Sequence, residues 1–325
     1  MATQTLTQVT KRKDLSIALR EYGIYLALAL LVFAFSIASP KFASANNFVL
    51  ILLQVSVTGI ISIGMLFVIL SAGIDLSVGS ILAVAGMISG VFAQQDPTPG
   101  NVILALVFPL IVGFLCGLFN GSLVAWAKVP ALIVTLGTLY AYRGFVVWYR
   151  VNPIYNLQPW YRVIGQGSIG PIPIPVVTFF LICLMASIIL NLTRFGRYIY
   201  AVGGNEQAAK AAGINVSLVK LGVYSISGFL CGLAGLVFTS RLGAAQAISG
   251  GGYELIAIAS VVVGGASLFG GRGTVSKTII GALIIQVLQN GLVMMNVPSP
   301  IQQIIIGLII ITAVWLDNIL RKNQS

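Results

Sequence analysis

Residues 191–220 read NLTRFGRYIYAVGGNEQAAKAAGINVSLVK, a polar, basic insert in a chain that is otherwise mostly hydrocarbon. Apolar runs long enough to cross a membrane lie on both sides of it. Within it, Gly203 and Gly204 are expected to break the chain. Asn205 can cap a helix, residues 206–212 can form two turns, and Gly213 can end them. Ala208, Ala209 and Ala212 leave a low-relief face suited to a cleft on a soluble partner. Lying on lipid is the other possibility, but alanines offer little apolar area for anchoring.

Working outward, the 325 residues are 58% hydrophobic and 8% charged. Soluble domains carry about 25% charged residues, so this chain cannot cover a water-facing surface. Backbone groups in hydrocarbon must pair within the protein, which favours helices over open sheet. The expected fold is all-α: a polytopic transmembrane helical bundle. The net charge of +11 does not imply nucleic acid, because the basic residues stand singly between apolar runs. Cys116, Cys183 and Cys231 fall inside apolar runs without metal or disulfide spacing and read as packing residues. The chain has no histidine, which removes the commonest base and metal ligand. No metal, cofactor or catalytic set is expected.

Ten spans are expected, at about 22–38, 48–70, 76–93, 101–126, 131–149, 174–191, 218–240, 254–269, 278–296 and 301–317. With residues 1–21 cytosolic, alternation puts Lys128, Arg194, Arg197, Lys210, Lys220, Arg272 and Lys277 inside, with the C-terminal Arg321 and Lys322. The outside receives mainly Lys41, Arg150, Arg162 and Arg241, the asymmetry that the positive-inside rule requires. Both termini are then cytosolic and 191–220 is a cytosolic loop. The outer loop 150–173 carries Tyr155, Trp160 and Tyr161 among prolines, aromatics expected at the headgroup level. It is either an interfacial loop or a docking surface for an external protein.

The two halves echo each other. VSVTGIISIGM at 55–65 resembles YSISGFLCGLAG at 224–235, and Asn120-Gly121 before Val129-Pro130 matches Asn290-Gly291 before Val297-Pro298. Asp75 has a counterpart in Glu254. An offset of five spans implies opposite orientations, an inverted repeat of five plus five with a pathway between the halves. Gly113, Gly117 and Gly121, like Gly228 and Gly232, lie at four-residue spacing suited to close helix packing.

Asp75 and Glu254 are the intramembrane charges singled out, and both stand at helix starts. Each can cap free N–H groups against the helix dipole or line a gate. GGASLFGGRGTVSK at 264–277 lacks the Gly-Lys-Ser/Thr ending of a phosphate loop and has no strand before it, so a tight turn explains its glycines better.

Four stretches carry a resemblance: SAGIDLSVGS at 71–80, GRYIYAVGGNEQAAKAAGINV at 196–216, GGYELIAIASVVVGGASLFGGRGT at 251–274 and VWLDN at 314–318. Together they resemble the permease subunits of bacterial ABC importers for ribose and related monosaccharides, over nearly the whole chain. The resemblance implies one permease domain over 1–325 in the inner membrane and a second copy or sister permease completing the channel. It further implies a cytosolic ATPase that binds the ATP and a periplasmic sugar-binding protein. Asn205, Glu206, Ala208, Ala209 and Gly213 would belong to the EAA-type coupling helix, although EQAAKAAG departs slightly from that motif. Asn120, Gln286, Gln289 and Asn290 could line a route for a neutral sugar or bond across helix interfaces. The alternative is an ion-gradient-driven secondary carrier, which the repeat suits but which lacks a mid-membrane carboxylate.

Overall fold

The computed structural model describes residues 22–322, so the expected cytosolic segment 1–21 lies outside the described residues. The first helix, α1, is Tyr22–Ala38. It is followed by α2 (Ala45–Leu70), α3 (Val78–Ala93), α4 (Pro99–Ala125), α5 (Ala131–Tyr149), α6 (Pro159–Gln166) and α7 (Ile174–Leu192). After these come α8 (Arg194–Gly204), α9 (Glu206–Ala211), α10 (Val216–Leu242), α11 (Tyr253–Val263), α12 (Val275–Met294) and α13 (Ser299–Lys322). A two-strand hairpin, β1 (Ser168–Ile169) against β2 (Ile172–Pro173), is the sheet among the described residues. The chain is an all-α membrane bundle.

Six helices (α2, α4, α5, α7, α10 and α12) are long and apolar enough to cross a membrane. Four shorter apolar helices accompany them: α1, α3, α11 and the Ser299–Thr312 part of α13. The expected span 254–269 is shorter than the sequence suggested. Gly264 closes α11 after 11 residues and Gly265 takes φ +83, so this helix is about 16 Å long, roughly half the hydrocarbon thickness.

The helices α2 and α10 form the centre. Every residue from Val55 to Leu70 is buried, and α10 is buried through most of Val223–Ser240. Polar caps set the ends: Asn215 accepts from the Leu218 N–H at 3.1 Å, and Gly243 closes α10 at φ +67. Packing on α10 depends on the glycines of α4 and α10, which face one another across the contact between the two helices. A Cβ on Gly117 would lie 2.2 Å from the Tyr224 carbonyl, and one on Gly228 would lie 2.2 Å from that of Gly113. Where lipid tails are as apolar as the helices, close backbone approach supplies the dispersion energy that holds them together.

The segment 150–173 is more ordered than an interfacial loop. Ile154 bridges Ala245, and α6 packs on α10. Tyr161 is fully buried rather than at the headgroup level, because its hydroxyl has polar partners inside. It donates to the Leu236 carbonyl at 3.1 Å and shares a 2.7 Å bond with Ser89.

Gly117→Ala tests the close approach against Gly137→Ala, where nothing lies within 4 Å of an added Cβ. Both changes raise helix propensity by about 1 kcal/mol. The expected outcome in detergent melting is a gain or no change for Gly137→Ala and a net loss for Gly117→Ala, since overpacking costs about 1–3 kcal/mol.

Candidate functional site

The short helix expected at 206–212 is α9, Glu206–Ala211, built as its residues dictate. The Asn205 side chain accepts from the Ala208 N–H at 2.9 Å. At the other end Gly213 takes φ +81, its N–H donating to the Lys210 carbonyl while the Ile214 N–H donates to that of Ala209. This is a Schellman stop, which needs a left-handed residue at the glycine position. Six residues cannot hold a helix alone. The Lys220 ammonium therefore matters: it pairs with the Glu206 carboxylate at 2.7 Å and ties α9 to α10.

Two expectations change. Gly203 and Gly204 do not break the chain; they complete α8, and the break comes at Asn205. Ala209 does not share the outward face with Ala208 and Ala212: it is buried against the bundle, while those two are exposed. It seats the helix.

Gly203 is small for a reason. A Cβ there would fall on the Leu70 carbonyl and 2.6 Å from the Gly271 N–H. That N–H donates to the same Leu70 carbonyl at 3.0 Å. The end of α8, the end of α2 and the turn 264–274 thus meet at one backbone joint. Tyr200 adds a second tie by donating to the Gly273 carbonyl at 2.9 Å. Burial pushes the Tyr200 phenol up from its ordinary value, which keeps it protonated as a donor. The turn follows α11 rather than a strand, as expected, and closes through the Ser267 N–H to the Arg272 carbonyl.

Beyond Leu70 the chain leaves the helix for seven residues, 71–77, before α3 begins. Ala72 takes φ +60, and the Gly73 N–H turns back to the Val68 carbonyl. Asp75 lies in this break and is fully buried. One carboxylate oxygen accepts from the Ser77 N–H at 3.0 Å and the Ser77 hydroxyl at 2.6 Å, and the other accepts from Ser227 on α10 at 3.1 Å. The Asn120 amide on α4 donates to Ser77 at 2.8 Å, and Tyr142 on α5 donates to Asn120 at 3.2 Å. The carboxylate does not cap the α3 helix, whose N-cap is Ser77 without a side-chain cap bond; it ties the break to α10, with α4 and α5 joined on through Ser77 and Asn120. Asp75 and Asn120 belong to one network.

Glu254 sits elsewhere, in the first turn of α11 as expected. It flanks Gly79, where an added Cβ would come 2.7 Å from its carboxylate. From the other side Arg143 donates to the carbonyls of Ala247, Ser249 and Gly79. Arg143 is a charge inside a span that sequence reasoning passed over; a lone arginine in the apolar run 131–149 was the available signal. Gln286 and Asn290 take the cross-helix role. Gln286 donates to Gln54 at 2.7 Å, and Asn290 exchanges two 2.9 Å bonds with Asn47. Arg241, expected in an outer loop, instead ends α10 and donates to the Leu53 carbonyl at 3.0 Å.

Asp75→Ala would strand the Ser77 N–H and the Ser227 hydroxyl in a buried site, at about 1–3 kcal/mol for each unsatisfied group. Ser227→Ala removes a single donor and should cost about 1 kcal/mol. Detergent melting of both variants and of the double variant should give a less-than-additive loss. Full wild-type stability of Asp75→Ala would contradict the network.

Comparison with known proteins follows the same geometry. Residues 47–314 match the family described as branched-chain amino acid transport system / permease component. The ribose import permease of Haemophilus influenzae is 43% identical over 94% of this chain and 95% of its own length. The D-allose transport system permease of Escherichia coli is 39% identical over 98% of this chain and 99% of its own. The xylose transport system permease of Haemophilus influenzae is 34% identical over 95% and 99%. No solved structure matches. With a family match from α2 into α13 and relatives aligned end to end, the chain belongs to this family of transport-system permease components.

Proposed function

We propose that this chain is the inner-membrane permease of an ATP-driven importer for a monosaccharide, ribose first. End-to-end similarity to sugar permeases supports the substrate class. The observation that carries the mechanism is the joint at Gly203, Leu70 and Gly271, which links an exposed short helix to the buried break at 71–77. The end of the bundle bearing α9 faces the cytosol, with both termini on that side. Asn205, Glu206, Ala208 and Gly213 present the coupling surface to a partner ATPase, and Ala209 holds that surface against the bundle. ATP is bound and hydrolysed by the partner; this chain, one permease domain over 1–325, has no ATPase site. A periplasmic binding protein delivers the sugar, and a second copy or sister permease completes the channel within the lipid.

When the ATPase pair closes, α9 is drawn toward its counterpart. Its ion pair moves α10, and the joint moves α2. The Asp75–Asn120 network and the Glu254 region act as gates between those helices, and Gln286 and Asn290 border the route.

The inverted five-plus-five repeat belongs to this proposal, with six helices long enough to cross on their own and α11, at 11 residues, not crossing by itself. Its best support is in the turns. Lys128 takes φ +56 before Val129-Pro130, and Asn296 takes φ +57 before Val297-Pro298, each just after a helix carrying Asn120 or Asn290. The ion-driven carrier is not favoured, because the aligned relatives are import permeases and Asp75 has its oxygens engaged by neighbours.

Gly213→Val forces a β-branched residue into a left-handed turn with open space around it, a strain of about 1–2 kcal/mol confined to the α9 stop. In proteoliposomes with the ATPase and the binding protein, the variant should fold, hydrolyse ATP and import at least tenfold less ribose. Unchanged uptake would remove α9 from the coupling role.

A further inference from the structure

A cavity of about 340 Å³ lies between α2, α11, α12 and the start of α13, away from the α9 joint. Gln54 is nine residues into α2 and Gln286 is eight residues before the end of α12. At 1.5 Å per residue these two lie about 12–14 Å inside their helix ends, while Arg241, Tyr253 and Gln302 stand within one turn of theirs, so the cavity runs inward from the ends of these helices. Its lining is polar, with Gln54, Arg241, Tyr253, Gln286, Gln289 and Gln302 all facing it.

These groups are only partly matched to one another. Gln54 and Gln286 share one bond, leaving the Gln54 amide N–H groups and the Gln286 carbonyl available. Gln302 donates to the Val297 carbonyl, which leaves its own carbonyl oxygen. Arg241 donates one N–H to Leu53 and lies 5.8 Å over the Phe238 ring, and among the described residues no carboxylate pairs with it. The Gln289 amide and the Tyr253 hydroxyl make no hydrogen bond among the described residues. Among the described residues the one buried polar side-chain atom without a partner is Trp160 Nε1, so these cavity groups are open to solvent and free to exchange water for a polar ligand.

We infer that this cavity is a subsite for a neutral polyhydroxylated molecule of monosaccharide size. Amide and phenol groups offer alternating donors and acceptors to hydroxyls, and the Tyr253 ring supplies an apolar face beside them. A volume of about 340 Å³ is at the small end of ligand sites, which run roughly 300–1,000 Å³. The inference rests on the reading of the chain as a sugar permease and adds a binding site within one protomer.

Gln289→Cys tests it, with Gln95→Cys, exposed in the α3–α4 turn, as control. The full chain, assembled with its ATPase and binding protein in proteoliposomes, is treated with a small hydrophilic thiol reagent alone, with millimolar ribose, or with millimolar valine. Modification of Cys at 289 slowed severalfold by ribose but not valine, with Gln95→Cys unaffected, is the expected result. Reaction at 289 without ribose protection means that the cavity holds water only, and no reaction means that it is closed; either overturns the subsite. Protection by valine rather than ribose overturns the polyol assignment. Uptake by the wild-type complex separates the two levels: no import of any monosaccharide sinks the function, whereas normal ribose import with an unprotected position 289 sinks the subsite alone. Tyr253→Phe and Gln302→Leu should each weaken the ribose protection of 289 several-fold.

Discussion

A break in a helix is tolerable inside a membrane protein only if the freed backbone finds partners within the protein. The segment 71–77 is such a break, and the Asp75 carboxylate makes it tenable by accepting from Ser77 and Ser227. The rest of the bundle is arranged around that requirement. The α10 helix must come close enough to bring Ser227, and the small faces of Gly228 and Gly232 allow α4 to follow with Asn120. Tyr224, one turn earlier on α10, donates to the Ile74 carbonyl in the same break at 3.1 Å. Breaking a buried charged network by removing one partner costs more than the network contributes, so such a site resists gradual deformation and favours discrete arrangements.

The same segment reaches the end of the bundle that bears α9. A cavity of about 710 Å³ separates Ala72 and Gly73 from α9, with Lys128, Lys210 and Lys220 on its walls. The direct contact with the end of α2 is made from α8, backbone on backbone at Gly203, where even a methyl group has no room. Interfaces packed that tightly transmit displacement rather than absorb it. A six-residue helix held by one ion pair and one buried alanine is thus connected through rigid material to the centre of the bundle.

Much of this was legible in the sequence, and the limits have physical causes. Local signals worked: Asn205 and Gly213 bound α9 because capping and left-handed turns depend on neighbours in sequence. Glycines four residues apart marked the α4–α10 contact, since helix periodicity converts spacing into a face. Long-range partnership was not readable. Asp75 and Ser227 are 152 residues apart, and nothing in either segment names the other. The direction of Ala209 depended on where α10 and α8 placed the helix. Tyr161 sat among prolines and aromatics typical of an interface, yet a buried serine and carbonyl drew it inward. Arg143 was visible as a charge in an apolar run, but its three carbonyl partners belong to α3 and to the segment before α11.

The central claim is that the end of α2 and the turn 264–274 move as one body with α8. Gly203→Ala puts a Cβ against the Leu70 carbonyl and 2.6 Å from the Gly271 nitrogen and so prises the joint apart, whereas Gly204→Ala meets nothing within 4 Å. Ribose import and ATP hydrolysis by both variants are measured in proteoliposomes with the ATPase and the binding protein. The account predicts that Gly203→Ala hydrolyses ATP but imports severalfold less ribose, with Gly204→Ala unchanged. Import by Gly203→Ala equal to that of the wild type would contradict it.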